Sequence, residues 1–467
     1  MNLRLLIAVS IAKIITILLK AVKRSATTLP GKIALKVYPQ IISVLAKNFK
    51  LIMVTGTNGK TTTVRIVGRI LEESSIKYIT NKSGANLSSG IATTFINAVT
   101  LTGKSNASTA LLEVDEAALI SLSKFIEPDI LIVTNFFRDQ LDRYGELYTT
   151  LNGIRGFISG HSGTTLILNA DDSLCASLGN NVINKVVYYG IEQETDANMN
   201  DTDSDAVYCI YCREKYKYRY HTYGHLGGFY CESCGYSRPM TQVKCISIDY
   251  TDSSHSQIKL TFENKNKDKD LPEIQVLNGR INLPGLYNIY NALAAAACGY
   301  ALGLPSLSIM NALAGFEPGF GRMETIKTNK RNINIILVKN PVGFNQVINF
   351  LISEENDKDI MILINDGLAD GTDISWLWDV DFEKFKSTED RINNIFVSGT
   401  RGRDMAVRLK YAGFSTHKIH VVDDYDYLID KCINNLDTDR DLYILPNYTA
   451  MLEIRKLLAQ KFKLKEF

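Results

Sequence analysis

The sequence predicts an α/β protein with a central domain on a parallel sheet, an inserted four-cysteine ribbon and a C-terminal α/β domain. Three observations carry that expectation. Strand-like apolar runs alternate with helical stretches twice along the chain, the first apolar run breaks into a glycine turn at Gly56, and four cysteines fall in one short window. At 467 residues the chain is too long for a single core.

The first segment, residues 1–50, is expected to be a basic amphipathic helical stretch. It holds nine Lys or Arg and no Asp or Glu, against a net charge of only +2 for the whole chain. At 100° per residue, Ser10, Lys13, Thr16, Lys20 and Arg24 form one polar stripe with aliphatic residues elsewhere. Packing of the apolar face on the protein's own domain is the expected outcome, and docking on an anionic membrane surface is the alternative. Lys13 and Lys20 interrupt the apolar runs, so no transmembrane span is expected, and no small-residue cleavage site suggests a secretory signal. The composition, 45% hydrophobic and 22% charged, is that of an ordinary globular protein and does not call for nucleic acid.

The central domain is expected over residues 51–325. Leu51 to Val54 reads as a strand, and Gly56-Thr57-Asn58-Gly59-Lys60-Thr61-Thr62 follows it. Gly56 and Gly59 let the backbone approach phosphates, the N–H groups opening the next helix face the anion, Lys60 neutralises charge, and Thr61 can hold Mg2+. ATP is therefore the expected nucleotide. The loop is short, because Val54 stands where the usual pattern has its first glycine. A helix start without a ligand is the bland reading.

Further strands are expected at Leu111-Leu112, Ile130 to Val133 and Thr165 to Leu168, giving a parallel sheet whose strand ends carry the loop, Glu113 and Thr134-Asn135. Glu113 is a carboxylate where a hard cation needs oxygen, although a plain surface acid beside Asp115 and Glu116 would look the same. The loop Ser83 to Gly90 is small and polar and is placed to touch substrate or nucleotide. Cys209, Cys212, Cys231 and Cys234 have the Cys-x2-Cys-x18-Cys-x2-Cys spacing of a four-thiolate zinc ribbon, inserted at about 205–240 between polar loops at 193–206 and 264–270. With no open coordination position such a Zn2+ is structural. Cys175, Cys245, Cys298 and Cys432 are isolated, as reduced thiols of a cytoplasmic protein would be. An Ala-rich helix is expected from Tyr290 to Leu302.

The third domain, residues 326–467, offers strands at Ile333 to Val338, Ile360 to Ile364, Ile395 to Ser398, Ile419 to Val422 and Leu442 to Leu445. Its Asp370-Gly-Thr-Asp373-Ile-Ser-Trp376 segment reads as a turn, and Trp376 and Trp378 suit either an interface or a core.

These residues resemble the Mur ligase family of ATP-dependent amide-forming enzymes and their folylpolyglutamate synthase relatives. The matching strings are Gly56 to Thr62, Thr134-Asn135 with Asp139, Leu141, Asp142 and Gly145, Asn169-Ala-Asp-Asp172, Asn288 and Asn291, and Gly321-Arg322-Met-Glu324. The resemblance implies Lys60 on the phosphates, Thr61 and Glu113 on Mg2+, and Asn288, Asn291 and Arg322 around the nucleotide. Departures are equally informative. Gln140 and Tyr144 replace the family's His, no lysine occurs between Glu146 and Lys185, and Lys339-Asn340-Pro341 stands for His-Asn-Pro.

Those departures, the ribbon and the strings Leu29-Pro-Gly-Lys-Ile-Ala34, Asn135-Phe-Phe-Arg-Asp-Gln140, Asp366 to Asp379, Ser398-Gly-Thr-Arg401 and Pro446-Asn-Tyr-Thr449 resemble the ligase-like subunits of lipid II isoglutaminyl synthase. That likeness implies ATP-dependent amidation of the α-carboxylate of D-glutamate in the lipid II stem peptide, at the inner face of the membrane. It also implies a GatD-type glutamine amidotransferase partner whose Cys and His are completed by Asp373. This chain offers no glutaminase centre of its own, since its six histidines are dispersed and no cysteine sits in a recognisable nucleophile turn. A free-standing amino-acid ligase is the alternative, and a nucleotide-gated binding protein without catalysis a more distant one.

Overall fold

The computed structural model describes residues 3–22, 24, 26–81, 85–137, 145–192, 206–251, 255–263, 274–283, 285–317, 322–328, 331–367, 369–434, 440–462 and 464. They fall into two compact units, one up to Phe316 and one from Glu317 onward.

In the first unit, β1 (Lys50–Thr55), β2 (Tyr78–Thr80), β3 (Thr109–Glu113), β4 (Ile130–Val133), β5 (Thr165–Asn169) and β6 (Val186–Ile191) run parallel. A hairpin of β7 (Lys217–His221) and β8 (Gly227–Tyr230) follows. Strand β9 (Val243–Thr251) pairs parallel to β6, then turns into an antiparallel meander with β10 (Ser256–Glu263) and β11 (Ile274–Ile281). Among the described residues this makes one nine-stranded sheet, ordered β11-β10-β9-β6-β5-β4-β1-β3-β2. The sequence pattern marked the central parallel strands because they are buried on both faces and read as continuous apolar runs. The meander was not anticipated. In β11 exposed and half-buried residues alternate up to Ile281, the one buried position, and polar residues break the apolar pattern.

The helices of this unit are α1 (Leu3–Ala21), α2 (Leu29–Val37), α3 (Ile41–Ala46), α4 (Lys60–Glu73), α5 (Ser88–Ala98), α6 (Glu116–Leu122), α7 (Gly145–Ser159), α8 (Ser173–Ser177), α9 (Leu286–Leu302) and α10 (Ser306–Ala314). The Ala-rich run of α9 is fully buried, and its small side chains let α4 pack closely on it. Helix α1 departs from the expected stripe. Thr16 is buried with Leu5, Ala8, Val9 and Ala12, while Leu3, Ile7, Ile14, Ile17 and Leu18 face outward. The physical reason lies in size and self-satisfaction. Alanines allow close approach to α2 and α5, and the Thr16 hydroxyl donates to the Ala12 carbonyl at 2.9 Å, so its burial leaves no polar group unpaired.

The second unit contains β12 (Arg322–Lys327), β13 (Asn332–Ile336), α11 (Pro341–Ser353), β14 (Lys358–Leu363), α12 (Phe382–Lys386), β15 (Ile392–Ser398), α13 (Gly402–Tyr411), β16 (Ile419–Val421), α14 (Tyr425–Asn434), β17 (Asp441–Pro446) and α15 (Tyr448–Phe462). Its sheet is ordered β12-β13-β17-β14-β15-β16, parallel except at the β12 edge. Both faces of this sheet are covered, one by a cluster around Phe344, Phe382 and Trp376 and the other by one around Leu428, Ile454 and Leu458.

Candidate nucleotide and partner sites

The loop between β1 and α4 is held open by its neighbours. Gly56 has φ 118° and Gly59 has φ 84°, both in the region that side chains disfavour. A Cβ at Gly59 would lie 2.0 Å from Asn291 Oδ1, and one at Gly56 would lie 2.3 Å from Thr134 Oγ1. The Thr57 N–H donates to the Asn135 carbonyl at 3.0 Å, and the Asn58 N–H donates to Asn135 Oδ1 at 2.9 Å. The Thr134 hydroxyl donates to the Asn58 carbonyl at 2.7 Å. The loop therefore rests on the residues that end β4, with the N-terminus of α4 beyond it, an arrangement suited to an anion.

Lys60 opens α4, and its ammonium donates to the Gly56 carbonyl at 2.5 Å and to Glu116 Oε1 at 3.2 Å. Glu116 was read from sequence only as a neighbouring acid. The signal that could have found it is its position three residues past Glu113, at the start of the helix after β3. Asn291, buried on α9, accepts from the Thr63 hydroxyl of α4 at 3.5 Å and donates to Asn288 Oδ1 on its own helix at 3.2 Å. Glu113 ends β3 opposite Val54, buried, and its backbone is pinned by the Asn81 side chain at 2.8 and 2.9 Å. Among the described residues none donates to its carboxylate, which leaves it acceptor capacity of the kind a hard cation uses.

The Asn169 to Asp172 string shapes the same loop. Asp172 accepts from the Phe136 N–H at 2.7 Å and from the Leu174 and Cys175 N–H groups that open α8, and His225 Nε2 lies 3.3 Å from it, both side chains fully buried. Asp171 accepts from Tyr290 at 2.5 Å, from Arg238 at 2.5 Å and from the Ile191 N–H at 2.8 Å. Burial raises its pKa, and Arg238 opposes that rise.

The four ribbon sulfurs all lie within 4.8 Å of one another. Two matching turns present them. Arg213 N–H donates to the Cys209 carbonyl at 2.9 Å and Gly235 N–H to the Cys231 carbonyl at 3.0 Å, with φ of 66° and 76° at Arg213 and Gly235. The Glu214 backbone, foremost, draws the Cys212 thiol down to about 7. Such a donor set fits a tetrahedral thiophilic ion. The ribbon is bolted to the sheet by Arg238 on Asp171, Tyr220 on the Ile191 carbonyl at 2.9 Å and Tyr236 on the Ser173 carbonyl at 2.7 Å.

In the second unit, strings far apart in sequence converge where β14, β15 and β17 end. Asn365 and Asn447 exchange hydrogen bonds at 3.1 and 2.6 Å. Asp366 accepts from the Thr400 hydroxyl at 2.7 Å and from Arg401 at 2.8 Å, and Asp370, buried, accepts from the Thr449 N–H at 2.8 Å and its hydroxyl at 2.5 Å. Asp373 differs. It is only partly buried and accepts from the Ser375 N–H at 2.7 Å, a bond that holds its carboxyl below the usual range. Trp376 lies in the core, whereas Trp378 is exposed beside Tyr411 and over Arg408.

Some expected residues cannot be placed. Asp139, Gln140, Leu141, Asp142 and Tyr144 lie outside the described residues, as do Ser83 and Gly84 and the side chain of Arg322. Asn340, in the substituted His-Asn-Pro string, caps α11 by accepting from the Gly343 N–H at 2.8 Å.

Residues 54–226 match the Mur ligase middle domain family and residues 337–451 the MurT ligase C-terminal family. The chain is 38% identical to the lipid II isoglutaminyl synthase (glutamine-hydrolyzing) subunit MurT of Streptococcus pneumoniae, over 93% of both chains. It is 32% identical to the subunit of the same name from Staphylococcus aureus, over 98% of both. Among solved structures, the MurF ligase from Thermotoga maritima in complex with ADP aligns with a TM-score of 0.61 at 12% identity, covering 92% of this chain and 84% of that one.

Proposed function

The chain belongs to the MurT family, the ligase subunits of lipid II isoglutaminyl synthase, and from that membership we propose that it amidates the α-carboxylate of D-glutamate in the lipid II stem peptide. The observation that carries the reading is the 38% identity sustained over 93% of both chains, which includes the phosphate loop and the Asp366 to Asp379 segment alike.

A carboxylate is a poor electrophile because its charge is delocalised over two oxygens. Transfer of the γ-phosphoryl of ATP to one of them gives an acyl phosphate and ADP. The nitrogen lone pair of ammonia then attacks the acyl carbon, phosphate departs with the bonding electrons, and a proton is lost from nitrogen. The loop from Gly56 to Thr62 and the Lys60 ammonium would hold the triphosphate, Asn288, Asn291 and Arg322 would flank the nucleotide, and Thr61 and Glu113 would hold Mg2+, which spreads phosphate charge. Cys209, Cys212, Cys231 and Cys234 would hold a structural Zn2+.

Ammonia would come from a GatD-type glutaminase subunit. Asp373, half-exposed and kept as a carboxylate, would orient and charge-stabilise that partner's imidazole. The enzyme would work in the cytoplasm, peripheral to the inner membrane face where its lipid-linked substrate lies.

The test is the mass of lipid II after incubation with ATP, glutamine and both subunits. Amidation lowers each stem by about one mass unit, as hydroxyl is exchanged for amine. An unchanged mass would defeat the reading, and addition of an amino acid would establish the free-standing ligase in its place.

A further inference from the structure

We propose that α1 is a bilayer-docking helix, whose outward aliphatic ridge and flanking cations seat the chain on an anionic lipid surface. Helix α1 has apolar side chains on two opposed sides. The inner side, Ala8, Ala12 and their neighbours, is spent on α2 and α5. On the outer side Leu3 is 69% exposed, Ile14 56%, Ile17 65% and Leu18 61%, with Ile7 on the same ridge. Four large aliphatic side chains this exposed on one helix face form a contiguous patch that folding of this unit leaves wet.

Charge selects the occupant. Lys13, Lys20 and Arg24 border one side of the ridge and Arg4 the other. On α2, Lys32 and Lys36 stand exposed beside Leu29 and Val37. Between Met1 and Leu112 the acidic residues are Glu72 and Glu73, both at the far end of α4, so the elements packed around α1 bring no compensating carboxylate. An aliphatic ridge rimmed by cations matches acyl chains beneath anionic headgroups. A second copy of the chain would oppose Lys20 and Arg24 to like charges. Crossing is not the mode, since no described helix is long and apolar enough to span a membrane.

The proposal deepens the membrane-face localisation above and rests on that reading for its setting, but its test needs no catalysis. The purified full-length chain is sedimented with vesicles of phosphatidylcholine alone or mixed with phosphatidylglycerol. Binding to the mixed vesicles is expected, weakened by salt, and reduced at least about tenfold by I14S/I17S/L18S and separately by K20E/R24E. The second variant changes only exposed charges and keeps the test decisive if the first fails to fold. Wild-type protein left in the supernatant, equal binding to neutral vesicles, or a ridge-dependent dimer by light scattering without vesicle binding would each overturn it. Amidation of a short-chain, water-soluble lipid II analogue is run alongside. Its loss with vesicle binding intact defeats the proposed reaction alone, and its persistence without vesicle binding defeats the docking helix alone.

Discussion

The Lys60 ammonium lies 3.2 Å from Oε1 of Glu116, a pair largely screened from solvent, while also donating to the Gly56 carbonyl. The lysine thus points over the glycine turn, held by a carboxylate. Phosphate oxygens would have to take over from that carboxylate.

Replacing Lys60 by alanine is expected to lower ATP-dependent amidation by about a hundredfold or more, since a charge aimed at the transferring phosphoryl is lost. Glu116→Gln is expected to act in the opposite direction on binding. Freed from its carboxylate, the lysine should bind ATP about fivefold more tightly, the equivalent of about 1 kcal/mol. An amidation assay reads the first and calorimetric titration with ATP the second, and weaker binding by Glu116→Gln would show that the carboxylate positions the lysine without competing for it.

Asp373→Asn keeps shape and removes charge. Glutamine-driven amidation should fall by about a thousandfold or more, while amidation fed by ammonium salts should persist. Asp370→Asn is the contrast, because Asp370 is buried against Thr449 and its loss should weaken both reactions and cost about 1–3 kcal/mol of stability. Loss of ammonium-driven turnover in Asp373→Asn would place that residue in the synthetase chemistry instead.

Elemental analysis should find one zinc per chain, and a chelator should lower both the melting temperature and the affinity for ADP. The second effect follows from a chain of contacts. His225 follows the β7 strand of the ribbon, touches Asp172, and Asp172 holds the Phe136 N–H next to Asn135, on which the phosphate loop rests. Unaltered ADP affinity in the metal-stripped protein would break that chain.

In the second unit, Arg331 and Asp359 form a fully buried ion pair at 2.6 Å, with Asn394 on the remaining carboxylate oxygen at 2.9 Å. Asp359→Ala leaves a guanidinium without its counter-charge and should destabilise this unit by about 3–5 kcal/mol, measured by denaturant unfolding. A change below 1 kcal/mol would mean that the Cys432 and Arg440 carbonyls suffice.

What the sequence revealed follows from what repeats in it. The glycine turn at Gly56, the cysteine pairs at Cys209 and Cys231, and the apolar strands carry local signals, because each demands particular residue types at fixed spacing. Glu116 carried only its place at the start of the helix after β3, not a spacing of its own. Its meaning comes from the adjacency of β1 and β3, which brings residues 56 positions apart together. The same holds for Asp370 and Thr449, joined across the ends of β14 and β17. Periodicity misjudged α1 for another reason. It assumes that apolar side chains point inward, whereas alanine and a self-bonded threonine pack there and the isoleucines do not.

The ribbon leaves the sheet after Ile191 and returns at Val243 on the neighbouring parallel strand, beside Tyr189 and so two residues back from the point of departure. An excursion whose ends lie this close on adjacent strands costs closure entropy that rises only slowly with its length, about 0.6 kcal/mol per doubling. In evolutionary terms the segment behaves as a cassette, able to be gained or shed without redrawing the sheet's topology. What resists its removal is a pair of buried carboxylates, Asp171, which would lose Arg238, and Asp172, which would lose His225. A lineage that dropped the cassette should therefore carry an uncharged residue in place of Asp171.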